Sequence, residues 1–322
     1  MQILEKIFSV KNRDGHKVWT VCGFKMKFKQ SSYIVTQKMN AIECAISNLE
    51  NRIVQNYLET EQKWSAQIQN LQEECSSIKA NIRVAQLHQS TFGAFKNKHQ
   101  NQDIVIVCGG PSVVNFKPID NCIYIAINNC CQYDKVKFDY IFLQELHPDN
   151  RKNEFVNNYD NDKCVKFYGI IADKRFSDVY RYGLRQIPQP HTYANNIRRY
   201  YLDDKFAYNF AYDLTLEPIG DFGGTVFSAV QFALWTNPRR IYLAGADCSS
   251  TKNVFCEKNN ACDYNYQIEM WKKLKIFSSD VYPNTEIISI NPIGLKGIFN
   301  DKYTESFLNE HPEIDKYNVE II

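Results

Sequence analysis

Six residues, Asp103-Ile104-Val105-Ile106-Val107-Cys108, constrain the fold more than any other stretch of this chain. They form a short apolar run rich in β-branched residues, the pattern of a central strand buried on both faces of a parallel sheet. The run breaks directly into Gly109-Gly110-Pro111-Ser112. Glycines immediately after a first strand let the backbone approach a ligand closely and turn N–H groups toward a phosphate. The spacing is not G-x-G-x-x-G and no P-loop lysine follows, so dinucleotide and Walker-type sites are disfavoured.

Two further apolar runs repeat the pattern. Cys122–Ile127 ends in Asn128-Asn129, and Phe138–Leu143 ends in Gln144-Glu145-Leu146-His147. Polar residues at the carboxyl ends of successive strands stand where open α/β sheets bind ligands. Asn128 and Gln144 suit hydrogen bonds to a base or ribose, and suit turn capping equally well. Downstream, Gly220-Asp221-Phe222-Gly223-Gly224-Thr225 opens an apolar helix that ends at Asn237-Pro238. That start is a second anion-binding helix N-terminus, facing the first glycine turn if the sheet is doubly wound. Ile241–Ala246 is another buried strand, with the Asp247 carboxylate at its tip; a helix around Tyr266–Phe277 and a strand at Glu286–Ile290 follow.

Residues 103–322 therefore read as an α/β, Rossmann-like, mostly parallel sheet with helices on both faces. A polar, Tyr-rich stretch at 150–215 interrupts it as a variable insertion or lid, carrying Arg175, Arg181, Arg185, His191, Arg198 and Arg199. Asp160-Asn161-Asp162 matches the D-x-D metal signature formally. It sits among Asn and Lys instead of ending an apolar strand, so it reads as a solvated loop and no metal site is expected.

The amino-terminal third is different material. In Gly23-Phe24-Lys25-Met26-Lys27-Phe28-Lys29 apolar and basic residues alternate. With Val18–Val21 and the Asp14-Gly15 turn upstream, this predicts a basic β-hairpin over 1–35. Residues 1–30 hold seven Lys/Arg against Glu5 and Asp14, a local charge of +5 inside a total of +2. An apolar face rimmed with lysine suits an anionic membrane surface, and an ordinary packed hairpin satisfies the pattern too. Residues 36–88 contain neither Gly nor Pro. Met39, Ile42, Ile46, Leu49 and Ile53 form one heptad seam, and Trp64, Ile68, Leu71, Cys75, Ile78 and Ile82 a second. The eleven residues from Ile53 to Trp64, bridged by Tyr57, are a stutter that locally unwinds a supercoil. A long helix is thus expected over 36–92, either folded back on the globule or forming a homo-oligomeric coiled coil, with Lys96–Asn101 as linker.

Composition closes other routes. A chain of 322 residues with 23% charged residues and near-balanced charge has no whole-chain basic footprint for nucleic acid. Eleven cysteines lack any C-x-x-C pair, and Cys108 and Cys122 lie in apolar runs, as expected of buried thiols in a reducing compartment. Cys248, Cys256 and Cys262 lack partners at zinc spacing. No stretch approaches the length of a membrane-spanning apolar segment, so a cytoplasmic chain is expected.

The strand-GGPS turn at 109–112, the strand ending in Asn128, the GGT helix at 223–225 and the I-Y-L-x-G-x-D strand at 241–247 together resemble the family 42 glycosyltransferases. Those are bacterial sialyltransferases that use CMP-sialic acid, and the similarity extends to MptE-like Rossmann proteins of surface-polysaccharide synthesis. The resemblance covers about 103–300. It implies metal-independent, inverting transfer from a CMP-linked nonulosonate to a surface glycan, with no cofactor beyond the donor, at the cytoplasmic face of the inner membrane. It further implies that Gly109, Gly110, Pro111 and Ser112 lie by the nucleotide phosphate and ribose, with Asn128 and Gln144 nearby, and that Gly223, Gly224 and Thr225 approach the cytidine. The family's histidine, roughly thirty residues beyond the I-Y-L-x-G-x-D strand, has no counterpart; Tyr282 falls near that spacing. Candidates for the base are then His147, Asp221 and Asp247. Tyr264 and Tyr266 are weaker candidates for stabilising the leaving group. Two alternatives keep parts of this architecture: a Mg²⁺-dependent pyrophosphokinase-like phosphoryl transferase, and a non-enzymatic coiled-coil scaffold with a vestigial nucleotide fold.

Overall fold

The structure, a computed structural model, describes residues 8–13, 16–29, 31–143, 151–159, 163–172, 197–203, 209–249, 252–256 and 263–322. It comprises two compact units, 1–72 and 73–322.

The first unit contains three antiparallel strands, β1 (Phe8–Arg13), β2 (His16–Val21) and β3 (Phe24–Lys29), in the order β1-β2-β3. The expected hairpin is β2–β3, and β1 adds a third strand; Asp14 and Gly15 lie outside the described residues. Register places Val10, Trp19 and Met26 side by side, and Lys11, Val18 and Lys27 in the neighbouring row. Because side chains alternate across a strand, Phe24, Met26 and Phe28 share one face with Trp19 and Lys17, and Lys25 and Lys27 share the other with Lys11 and Val18. Phe24 and Phe28 remain at least half exposed.

A 62-residue helix, α1 (Ser31–Phe92), follows. Its length agrees with the absence of Gly and Pro, which would break the hydrogen-bond ladder. From Met39 to Ile82 the large apolar seam residues are all 50–66% exposed.

In the second unit the end of α1 is core. Val84, His88 and Phe92 are buried, as is Phe95 in the following 3-10 turn. The polar run 96–101, expected as a linker, is folded instead. Asn97 N and His99 N donate to the Trp235 and Thr236 carbonyls, and the buried His99 meets the Tyr140 hydroxyl at 2.8 Å. Local polarity misled here because backbone N–H groups of this run satisfy the end of the buried helix that closes at Trp235.

The remaining strands form one nine-stranded sheet. They are β4 (Asp103–Val107), β5 (Cys122–Ile127), β6 (Tyr140–Leu143), β7 (Val165–Ala172) and β8 (Ile197–Asp203), then β9 (Arg240–Ala244), β10 (Glu286–Ile290), β11 (Asn300–Tyr303) and β12 (Glu320–Ile321). Their order is β12-β11-β10-β9-β4-β5-β6-β7-β8, and all eight ladders are parallel. Period-two alternation sorts the strand residues between two cores. Ile104 and Ile106 join one cluster, with Phe92, α3 (Thr225–Trp235) and α4 (Tyr264–Val281). Val105 and Val107 join the other, with Val113, Phe116, Tyr133 and Val156 from α2 (Arg151–Asn157). Both faces are covered, as a continuously apolar strand requires. The connections after β4 and β5 are short 3-10 turns, Pro111–Asn115 and Asn128–Gln132. A last short helix, α5 (Glu305–Glu310), packs Phe307 beside Tyr303.

Two groups, the partly buried Arg198 and the buried His88, pin α1 to this sheet. Arg198 Nη1 donates to the carbonyls of Ser90 and Thr91, supplying positive charge and donors at the carboxyl end of α1. His88 Nε2 accepts from Tyr201 N at 2.6 Å, which places the ring proton on Nδ1, 3.0 Å from the Leu214 carbonyl. Burial, partly offset by the backbone bonds, lowers the His88 pKa from 6.5 to about 4. Between those values the unfolded chain binds a proton that the folded chain refuses. Stability from this group is therefore full above pH 6.5 and is lost as pH falls toward 4, by about 3 kcal/mol in all. Urea unfolding should show this decline in the parent chain. His88→Gln should be less stable at neutral pH and show a shallower acid slope; an unchanged slope would contradict the assignment.

Candidate functional site at the sheet switch point

From β4 the sheet grows through β5 to β8 on one side; the chain then returns through α3 and continues from β9 on the other side of β4. Strand order reverses between β4 and β9. In open parallel sheets the crevice outside the carboxyl ends at such a reversal is where ligands bind.

The loops lining this crevice are held by short, specific contacts. After β4, Cys108 N donates to the Ala244 carbonyl at 2.7 Å and Gly110 N to the Gly245 carbonyl at 2.8 Å, so the ladder to β9 continues past both strand ends. A Cβ on Gly110 would stand 2.5 Å from the Gly245 oxygen and 2.6 Å from the Asp247 carboxylate. One on Gly109 would meet the Asn253 side chain at 2.5 Å. Neighbouring protein atoms thus suffice to require both glycines. Pro111 starts the 3-10 turn, and the buried Ser112 donates from its backbone N to Asp247 Oδ2 at 2.9 Å and from its hydroxyl to Asp247 Oδ1. Asp247 is itself buried, and desolvation raises its carboxyl above the usual range while the two Ser112 bonds oppose the rise. Both carboxylate oxygens are engaged on the turn after β4.

The second half of the crevice is the start of α3. Asn128, at the tip of β5 with φ +48°, donates from Nδ2 to Thr225 Oγ1 at 3.0 Å and so joins the two halves. No side chain caps the helix; Gly224 occupies the cap position with extended backbone. Gln267 of α4 donates from Nε2 to the Gly223 carbonyl at 2.9 Å. Asp221 is buried beside this turn, and its carbonyl accepts from Gly224 N at 3.0 Å. Next to Asn128, Asn129 donates to the Phe255 carbonyl at 3.0 Å, while its buried Oδ1 has no hydrogen-bond partner among the described residues. A buried acceptor in that condition costs about 1–3 kcal/mol unless a donor arrives.

Some of the left-handed backbone of the chain falls at the same place. Among the described residues, the non-glycine positions with left-handed φ are asparagines except for Cys22, Phe222 and Cys248. Phe222 (φ +45°) and Cys248 (φ +46°) flank the crevice, on the loops before α3 and after β9. Such residues persist only where surrounding structure holds them, and they concentrate at ligand sites.

The sequence-derived candidates thus divide. Gly109, Gly110, Pro111, Ser112 and Asp247 form one wall; Asn128, Asp221, Gly223, Gly224 and Thr225 form the other. Gln144 and His147 lie outside the described residues, as do Asp160-Asn161-Asp162 and Cys262. Tyr282 caps the far end of α4 and is pushed to about 12 by burial, and Tyr266 packs by Gly223. Asn129, Asn253 and Gln267 were missed. Asn129 was visible as the second residue of an Asn pair, whereas nothing in the spacing marks Asn253 or Gln267. Among the described residues no three His, Cys, Asp or Glu side chains converge as metal ligands.

Fold and crevice together define an α/β Rossmann-like protein with polar side chains and glycine turns gathered at its switch point. No family model matches the chain, and no curated protein matches it significantly. Among solved structures it is similar to the MAf glycosyltransferase from Magnetospirillum magneticum AMB-1, with 12% identity and a TM-score of 0.39. The match covers 69% of this chain and 38% of that one, so the chain spans well under half the length of that protein.

The two glycine walls should respond differently to a methyl group. Gly110→Ala forces a clash with backbone and should cost about 1–3 kcal/mol or more. Gly223→Ala meets nothing closer than 4.0 Å and should lose only about 1 kcal/mol from its φ of +74°. Equal thermal shifts for the two variants would contradict the packing described.

Proposed function

We propose that this chain is a glycosyltransferase that moves a sugar, of nonulosonate type, from a CMP donor to a surface glycan. The observation that carries the reading is the pairing, at one sheet reversal, of a glycine turn after β4 with an uncapped glycine-led helix start, bridged by Asn128 and Thr225. That arrangement presents the N–H groups at the start of α3 to an anionic phosphate, while the turn after β4, whose Gly110 and Ser112 N–H groups are bound within the protein, supplies the shape of the facing wall. The buried Asn129 oxygen supplies an acceptor suited to the amino group of a base such as cytosine. Transfer from such a donor, as opposed to phosphate binding alone, is supported by the order of the 109–112, 128, 223–225 and 241–247 segments, which resembles the family 42 enzymes.

In this mechanism the acceptor hydroxyl attacks the anomeric carbon, the bond to the CMP phosphate breaks, and a base takes the hydroxyl proton. Helix-start N–H groups stabilise charge on the departing phosphate. Asp247 acts as a positioning residue, because Ser112 occupies both its oxygens. The base is then Asp221 or His147. The donor is the only small molecule required, and no metal takes part.

The same reading places the chain peripherally on the inner face of the cytoplasmic membrane. Its support is the three-stranded sheet, with Phe24, Met26 and Phe28 exposed and Lys11, Lys25 and Lys27 on the opposite face. These cations lie within about a Debye length of any surface the apolar face touches. No helix among the described residues is long and apolar enough to cross a membrane.

Calorimetry with CMP, CDP, UDP, ADP and GDP, with and without Mg²⁺, tests the site. Metal-independent CMP binding is expected, and binding only with Mg²⁺ would favour phosphoryl transfer. Gly224→Val keeps an extended backbone that valine accepts but fills the helix start, so it should abolish CMP binding in a folded chain. Retained affinity would remove the nucleotide from this crevice. Co-sedimentation with anionic but not neutral vesicles is the corresponding test of the surface, and Phe24→Ser with Phe28→Ser should weaken it.

A further inference from the structure

The long helix carries an apolar seam that no described residue of its own chain covers between Met39 and Ile82, where the large seam residues are 50–66% exposed. Written as heptads, Met39, Ile46, Ile53, Ile68, Cys75 and Ile82 take the a positions. Val35, Ile42, Leu49, Trp64, Leu71 and Ile78 take the d positions. The two runs supply about five heptads, beyond the three to four that mark a coiled coil. No charged residue occupies any of these positions.

We propose that this seam is occupied by a second copy of the same chain, in a parallel, in-register coiled coil. Hydrophobic spacing alone does not decide direction. The steps 4-3-4-3-4 on each side of the Ile53–Trp64 gap read the same both ways, so apolar layers match in parallel and in antiparallel pairing. The flanking charges do decide. In the parallel arrangement each g residue faces the e residue five positions on in its partner. That sets Lys38 against Glu43 and Glu74 against Lys79, each pair occurring twice by symmetry, and brings no like charges together. The antiparallel alignment that matches every a to a d sets Lys38 against Asn81, Glu74 against Ala45, and Arg52 against Gln67. It sets Glu43 against Gln72, Glu50 against Ser65, and Lys79 against Thr36. It forms no ion pair at all. Opposite charge at these flanks sets partner choice and orientation in coiled coils.

Cys75 makes the proposal directly measurable. It is an exposed free thiol at an a position, so in the parallel pair it stands beside the Cys75 of the second copy. In the antiparallel pair it would stand beside Ile42. Cys44, also exposed, falls at position f on the outer face, and Cys22 lies in the β2–β3 turn. The test uses the full chain with Cys22→Ser and Cys44→Ser, oxidised by copper(II) phenanthroline and run on a non-reducing gel. A disulfide-linked dimer that disappears on adding Cys75→Ser is expected. If Cys75 fails to cross-link to itself, and Ile42→Cys then cross-links to Cys75, the parallel arrangement is overturned. Sedimentation at micromolar concentration should give an oligomer for the parent chain. It should give a monomer with unchanged helix content for Ile46→Glu with Ile68→Glu, since both positions are exposed and glutamate is a good helix former. A monomeric parent chain, or an oligomer that survives both charges, would overturn the proposal.

Discussion

The contact on which the site depends is the one between Ser112 and Asp247. It spans the reversal between β4 and β9, where two strands far apart in sequence end side by side and their ladder runs on into the loops. A buried carboxylate is costly unless its oxygens find donors, and here the backbone N and hydroxyl of one serine supply them. The bond fixes the turn after β4 relative to the loop after β9. Glycine at 110 and 245 follows, because the space between these loops is already filled by carbonyl oxygens and the carboxylate. Gly294, whose N donates to the Asp247 carbonyl at 2.7 Å, closes the arrangement from the segment after β10.

The aromatic richness of the chain has an ordinary physical use in this architecture. Phe92, Phe142, Phe167 and Phe232 stack and tilt against one another at 4.6–6.2 Å beneath one face of the sheet, joining α1 and α3 to its central strands. Buried cysteines fill gaps in the same way, and burial raises the Cys108 and Cys131 thiols away from reactivity. Among the described residues, the thiols exposed to solvent are instead Cys22, Cys44 and Cys75, in the amino-terminal third.

Much of this was legible in the sequence. Buried parallel strands announce themselves by unbroken β-branched runs, and β4, β5, β6, β9 and β10 fall where those runs stand. The long helix was equally plain from its heptads and its lack of Gly and Pro. β7 and β8 were not legible, since they lie inside the polar 150–215 stretch read as an insertion or lid, yet both pair in the main sheet. Three further features were not legible, each because its cause is tertiary. The polar segment 96–101 is folded because it completes the end of α3. β11 and β12 are short and polar, and they become strands only by adding to an existing edge. Both Asp247 oxygens are taken by Ser112, 135 residues away, and local sequence cannot reveal such a bond. At the site, glycine and asparagine positions were readable because turns demand them, whereas Gln267 acts on distant backbone and Asn253, bonded locally to Phe255 N, meets Gly109 only through the fold.

The central claim is that the crevice between the β4 and β9 loops and the start of α3 binds a nucleotide. A crystal structure of the chain grown with CMP tests it most directly. The account predicts the phosphate against the backbone of Gly109–Ser112 and Gly223–Thr225, with the base within hydrogen-bond reach of Asn129. A nucleotide bound elsewhere on the molecule, or an empty crevice at saturating CMP, would contradict it.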